Sequence, residues 1–288
     1  MSQDQDVTSG TSHEGVVRDY YDPAREAYKG LMGDTWHHGD PAAEAAGLSV
    51  LEAAQALERR MVSLSGLGAG ERALDFGSGV GGPTVYLATV SGAHFVGLSN
   101  NEGLSADARA LAERVGVTEK VSFHTIGDTD YKTLGAFADD SFDAVFFFES
   151  TCHLPDKQAF FQAAYRILKP GHRLVGIDWL QRPFGAHQTD EQIMRFMEPV
   201  NRFIRIPWHG TVDSYRTMLE QAGFQIEHAE DLFDGVECWG STPDEDRPQW
   251  LNYDGPHGEL FREGKRALDA ARGAGVFTVG LFAAVKPA

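Results

Sequence analysis

Short apolar runs alternate along this chain with longer stretches in which apolar residues return every three or four positions. Ala73–Phe76, Ala93–Leu98, Val121–Ile126, Ala144–Phe148 and Leu174–Trp179 have the length and residue types of strands. Between them, Thr84–Val90, Leu104–Val115 and Lys157–Leu168 read as helices, the last stopped by Lys169-Pro170-Gly171. Such repeated strand–helix units predict a parallel sheet with ligands at the carboxyl ends of its strands. Ala144–Phe148 is apolar without alternation, as expected of a central strand covered on both faces.

The flanks follow other patterns. Residues 1–14 are polar and predict a disordered tail. Residues 15–64 predict an appended helical cap: Tyr20, Tyr21 and Tyr28 cluster, an aromatic and imidazole-rich loop spans Gly33–Gly39, and Ser49 caps a helix reaching Leu64. Residues 65–288 form the core unit, with a helical insertion at about 182–213 that carries Phe196, Phe203 and Trp208. Beyond it come a helix at Ser214–Ala222, a strand at Gln225–Ala229, an acidic loop at Asp234–Gly258, a helix at Glu259–Arg272 and a closing strand at Val276–Val285.

Composition narrows the function. A formal net charge of −17 disfavours a nucleic-acid or anionic-membrane partner, since both repel an acidic surface. Two cysteines, Cys152 and Cys238, are too few for a disulfide framework or a thiolate zinc site and fit a reducing compartment, hence a cytoplasmic protein. No apolar run is long enough to span a bilayer.

Candidate chemistry starts at Leu74–Pro83. Gly77, Gly79 and Gly82 give the G-x-G-x-x-G spacing of a loop whose backbone approaches a ligand closely. A dinucleotide site carries an acid at the end of the second strand, but here that strand ends Gly97-Leu98-Ser99-Asn100. The acid instead ends the first strand: Asp75 would repel a pyrophosphate and suit the ammonium and sulfonium of S-adenosylmethionine, leaving S-adenosylhomocysteine as product. Asp128 follows the third strand, where it can accept from the adenine amino group, and Ser99 and Asn100 can reach the ribose. This pattern resembles the class I S-adenosylmethionine-dependent methyltransferases. The resemblance implies an α/β, Rossmann-like, mostly parallel seven-stranded sheet flanked by helices. It also implies a cofactor pocket of Asp75, Gly77, Gly79, Ser99, Asn100 and Asp128, with Ser78, Leu98, Gly127 and Thr129 beside them.

Phe148-Glu149-Ser150-Thr151-Cys152-His153-Leu154-Pro155 decides more. Glu149 emerges from a buried strand into the ligand crevice, where an unpartnered carboxylate is costly. The segment resembles the Glu-Ala-Thr-Cys-His-Ala-Pro pattern of the sterol C-methyltransferases. Gly79–Pro83 with Ser91-Gly92-Ala93, Gly97–Glu102, Tyr20-Tyr21-Asp22 and Lys169-Pro170-Gly171 also resemble that family. Ser78 stands where the family has cysteine, and Glu149-Ser150-Thr151 is similar instead to bacterial geranyl diphosphate C-methyltransferases and other bacterial terpenoid C-methyltransferases.

What this resemblance implies is methylation of an alkene carbon in a terpenoid or prenyl side chain, such as that of a prenylated indole alkaloid. Attack of the alkene on the methyl leaves a tertiary carbocation, which cyclises or loses a proton. Glu149 would face that cation, and Tyr21, His153, His37 or His38 would take the proton. Tyr20, Trp36, His37, His38, Phe196, Phe203 and Trp208 would line the acceptor site, whereas Tyr28 is placed in the core. No carboxylate pattern near His37-His38 completes a metal site. The aromatic N-terminal segment makes a homo-oligomer the expected state.

Overall fold

The computed structural model describes residues 12–183, 189–236, 238 and 250–288. Its sheet holds β1 (Arg72–Phe76), β2 (His94–Ser99), β3 (Val121–Thr125), β4 (Phe142–Phe148), β5 (Leu168–Gln181), β6 (Gln225–Asp231) and β7 (Phe277–Val285). Their order is β3-β2-β1-β4-β5-β7-β6, and the first five are parallel. Only β7 runs antiparallel, against both β5 and β6. This is the mostly parallel seven-stranded arrangement expected.

Strand β4 shows why the residues fold this way. All of it is buried, and alternate residues enter opposite layers: Ala144, Phe146 and Phe148 join one apolar cluster, Val145 and Phe147 the other. A strand so apolar on both faces is stable only between two layers of helices. One such layer includes α3 (Val50–Ser65), begun by a Ser49–Glu52 capping box and ended by Gly66 in the left-handed region. The helices α4 (Gly82–Ser91), α5 (Glu102–Val115), α6 (Lys157–Ile167) and α8 (Val212–Ala222) follow the strands as expected.

Chain order reverses beside β1: β2 and β3 lie on one side, and β4 onward on the other. The crevice at the carboxyl ends of β1 and β4 is thus the switch point at which open α/β sheets bind ligands.

Helix α1 (His13–Met32) lies over this crevice, and α7 (Asp190–Ile204) from the insertion and α9 (Gly258–Gly273) near the end line the space beside it. A short α2 (Pro41–Ala45) joins α1 to α3. Helix α1 starts earlier than its hydrophobic pattern predicts. Ser12 caps it by accepting from Gly15 N at 3.1 Å, so His13 and Glu14, placed in the tail by composition, are helical. The rest of that tail, residues 1–11, lies outside the described residues, as do residues 237 and 239–249 of the acidic loop expected at Asp234–Gly258. Among the described residues no helix is long and apolar enough to cross a membrane.

Candidate active site

The glycine loop after β1 is fixed by its neighbours. Gly77 N and Ser78 N both donate to Leu98 O, at 2.9 and 2.8 Å, tying the loop to the end of β2. Gly77 has φ +77°, and a Cβ there would lie 2.2 Å from that of Ser150, so no other residue fits between β1 and the segment after β4. This loop borders an open cleft of about 1050 Å³. Asp75, Gly77, Ser78, Gly79, Leu98, Ser99, Asn100, Gly127 and Asp128 line it, together with Tyr21, Trp36, His37, Glu149 and His153. Thr129, expected among them, is not on the wall; it opens the short turn Asp130–Lys132. Glu14, Val17 and Tyr131 are on the wall although the sequence did not single them out.

Asp75 is buried at the head of the cleft. Thr84 Oγ1 donates to its Oδ2 at 2.5 Å, while Oδ1 has no hydrogen-bond partner among the described residues. Burial pushes its pKa up to about 7, against the pull of the Thr84 bond and the nearby His37 charge. At the other end, Arg18 of α1 reaches Asp128 at 2.7 Å.

A second cavity, about 550 Å³ with the solvent at its open mouth included, lies between α1 and α9. Tyr20, Tyr28 and Met32 of α1 face Phe261, Gly264, Lys265 and Leu268 of α9 across it, with Trp36, Trp179 and Ile204 completing the wall. The two tyrosine hydroxyls share a hydrogen bond at 3.1 Å, and Tyr28 stacks at a tilt on Trp36, centroids 5.1 Å apart. Tyr28 therefore belongs to the wall and not to the core where its helical spacing placed it. Only Glu149 and Trp36 line both cavities, among the described residues.

Glu149 stands at that junction. Its φ of +48° is an unfavourable value for a residue with a side chain, and Glu149 N donates to Ile177 O at 2.8 Å, which holds the turn. Oε1 accepts from both His38 N and His38 Nδ1, each at 2.8 Å, and Oε2 accepts from Trp179 Nε1. Arg272 Nη2 lies 3.3 Å from His38 Nε2, and because a guanidinium only donates, that nitrogen accepts and Nδ1 carries the proton. Burial lowers His38 as well, so the ring is neutral. Burial would raise Glu149, but the electrostatic pull of His38 and its two hydrogen bonds, followed by the His37 charge, outweigh burial and hold the carboxylate below its usual range. The result is a fixed negative charge in a nearly dry junction.

His37 is the counterpart. Its Nδ1 meets His38 O at 2.7 Å and its Nε2 meets Glu58 Oε1 at 2.9 Å, two acceptors that require a doubly protonated ring. Burial opposes that charge, but buried Glu58 of α3 raises the pKa in net. Glu58 escaped the sequence reading because it falls within the buried stripe of an ordinary amphipathic helix. Below the junction, Tyr21 and His153 are 3.0 Å apart, and His153 Nδ1 lies 3.2 Å from Arg205 O. The carbonyl takes the Nδ1 proton, so Nε2 accepts from Tyr21. Burial pushes His153 down to about 4, making the pair a neutral proton path and a weak base.

Other expected acceptor residues lie elsewhere. His38 is behind Glu149 and touches neither cavity. Phe196 and Phe203 pack against the larger apolar core. Trp208 donates from Nε1 to Pro155 O at 3.0 Å, and its ring covers Lys157 Nζ at 3.9 Å. That ammonium in turn donates to the carbonyls of Cys152, Leu154 and Trp208, so Trp208 braces the loop bearing His153. Among the described residues Glu71, Asp143 and His172 bring three potential metal-ligand atoms together, but near the amino ends of the strands. Lys169 Nζ is 2.6 Å from Asp143 there, which disfavours a cation.

Residues 74–176 match the model of a methyltransferase domain. The chain is 31% identical over 214 residues to 27-O-demethylrifamycin SV methyltransferase of Amycolatopsis mediterranei, an alignment covering 74% of each protein. The chain belongs to the S-adenosylmethionine-dependent methyltransferases. It is also 31% identical over 227 residues to a sterol 24-C-methyltransferase of Aspergillus fumigatus, covering 76% of this methyltransferase and 56% of that one. Cycloartenol-C-24-methyltransferase of Arabidopsis thaliana is 28% identical over 222 residues, 63% of its length. The chain thus spans little more than half of the sterol enzymes it matches. In fold it resembles the cyclase SpnF, with a TM-score of 0.79 at 20% identity over 97% of this chain and 98% of that one. Geranyl diphosphate C-methyltransferase from Streptomyces coelicolor has a TM-score of 0.71 at 15% identity, over 97% and 99% of the two chains.

S-adenosylmethionine is the cofactor of this methyltransferase, and the cleft fits it. The buried, unpartnered Oδ1 of Asp75 can take an ammonium, and Gly79, beside which an added Cβ would meet nothing within 4 Å, leaves the backbone bare on the cleft wall. One consequence is a pH dependence. A cationic ligand binds the ionised carboxylate, and ligand-free Asp75 titrates near 7. Affinity for the cofactor should therefore be level well above pH 7 and fall below it, towards tenfold per pH unit. Calorimetry at pH 6, 7 and 8 checks this; equal affinity at 6 and 8 would separate Asp75 from the ligand.

Proposed function

We propose that this methyltransferase transfers a methyl group to an alkene carbon of a terpenoid or prenyl side chain, with a prenylated indole alkaloid as the candidate acceptor. The observation that carries the reading is Glu149, held by donors from His38 and Trp179 at the junction of the cofactor cleft with an aromatic chamber. When bound, S-adenosylmethionine supplies an electrophilic methyl. An alkene needs no base to attack it, but the acceptor carbon next to the new bond becomes cationic. Glu149 opposes that charge at short range, and Tyr20, Tyr28, Trp36 and Trp179 present π faces and edges around it. Tyr21, backed by His153, is placed to take the proton that the cation releases.

Names of the relatives agree with carbon as the acceptor in the sterol enzymes and in geranyl diphosphate C-methyltransferase. A diphosphate is less suited to this chamber. On its described wall Lys265 is the one cationic side chain, and it pairs with Asp269. The Amycolatopsis relative, whose name specifies an oxygen acceptor, favours O-methylation as a second reading, with Tyr21–His153 as the base. A base held near pKa 4 serves that chemistry poorly at neutral pH.

Incubation with methyl-labelled cofactor and a panel of prenylated indoles, prenyl alcohols, sterols and phenols tests both. Carbon-13 shifts of the new methyl separate C–CH₃ from O–CH₃; label found only on oxygen would overturn the proposal. Homo-oligomer formation, proposed from the aromatic N-terminal segment, is checked by sedimentation. In this fold that segment lies on α9 of its own chain.

A further inference from the structure

Helix α9 supplies one wall of the aromatic chamber through Phe261, Gly264, Lys265 and Leu268, which recur at intervals of three and four and so share a face. Three of them carry large side chains. Between these the wall is notched at Gly264. A glycine inside a helix is the least favourable residue short of proline, because it frees the backbone and packs nothing.

Two ordinary reasons for a helical glycine fail here. Gly264 is not among the positive-φ glycines, so its backbone conformation suits any residue. Nor does close helix packing need it. An added Cβ would lie 3.6 Å from Ile204 Cγ1 and 3.7 Å from Phe203 Cβ, which is ordinary contact with α7. What the missing side chain leaves is room. Ile204 lines the same chamber, so atoms beyond a Cβ at position 264 either press on Ile204 and Phe203 of α7 or project into the cavity, and displacing Ile204 also narrows it.

We propose that Gly264 sets the width of the acceptor chamber and is the residue that admits broad, polycyclic acceptors alongside slender acyclic ones. This rests on the reading of the chamber as the site of an apolar terpenoid acceptor. Gly264 touches no part of the cofactor cleft, so substitution there changes acceptor choice without changing donor binding.

Binding to the full chain saturated with S-adenosylhomocysteine tests the proposal without needing turnover. Trp36 and Trp179 line the chamber, so quenching of tryptophan fluorescence reports occupancy by farnesol, an acyclic probe, or cholesterol, a polycyclic one. Gly264→Val should weaken cholesterol at least about tenfold and farnesol less than about twofold. Gly264→Ala, whose Cβ fits, should melt no lower than the wild type and shift the ratio of the two affinities by about threefold in the same sense. An unchanged ratio in both variants, equal losses for both probes, or a wild type that takes farnesol and refuses cholesterol would overturn the role of Gly264. A wild type that binds neither probe would instead overturn the reading of the chamber itself.

Discussion

Glu149→Gln should bind S-adenosylmethionine within about threefold of the wild type yet lose about 10²- to 10³-fold in methyl transfer. The amide keeps the size of the side chain and an oxygen for the His38 or Trp179 donors, but removes the charge. A cation about 5 Å from a carboxylate gains about 3 kcal/mol at an effective dielectric of about 20, which corresponds to that factor. Each aromatic face contributes about 0.5–2 kcal/mol, so no single ring matches the carboxylate. Calorimetry for the cofactor and single-turnover transfer of labelled methyl for the chemistry separate the two effects. Transfer within tenfold of the wild type would remove Glu149 from the mechanism. Glu149→Ala is the poorer test, since it strands the buried donors that the carboxylate satisfies.

Two truncations should differ sharply. Removing residues 1–32 deletes α1 and opens both cavities, and the remaining chain should fold without measurable activity. Removing residues 1–39 also deletes His37 and His38, leaving Glu58 and Glu149 buried without those partners. Breaking the buried His37–Glu58 ion pair from one side costs about 3–5 kcal/mol, and stripping buried Glu149 of its two His38 hydrogen bonds costs about 1.5–3 kcal/mol each, which together approach the whole stability of a typical domain, about 5–15 kcal/mol. The shorter chain should therefore be largely unfolded at room temperature. Circular dichroism melts and limited proteolysis distinguish the cases; a chain starting at Asp40 that melts within a few degrees of full length would refute the account. Composition alone treats everything before Leu64 as an appendage, so it predicts that a chain starting at Asp40 keeps its sheet. The buried partners of His37 and His38 revise that expectation.

What the sequence reveals tracks how local the signal is. Asp75, Ser99 and Glu149 each lie at or just after the end of an apolar strand, and Asp128 shortly follows β3, so pattern alone places them at one rim of a parallel sheet. Position relative to that rim is harder. His37 and His38 are neighbours of the same type, yet one faces the cleft and the other stands behind the carboxylate, a distinction made by a loop without periodicity. The acceptor wall was least legible. Phe196 and Phe203 of α7 have the same amphipathic spacing as Phe261 and Leu268 of α9, and only the packing of one helix on the other decides which pair meets the cavity. Trp179 closes the apolar run Leu174–Trp179 within β5, and nothing local marks it as the residue whose indole N–H holds Glu149.

Helix α1 presents Val17 and Tyr21 to the cofactor cleft and Tyr20, Tyr28 and Met32 to the acceptor chamber. Donor and acceptor thus share one roof, pinned beside the cleft by Arg18 on Asp128 and by Asp22 on Asn101. Lifting α1 from the sheet would therefore open both cavities at once, so the two spaces share a single point of control.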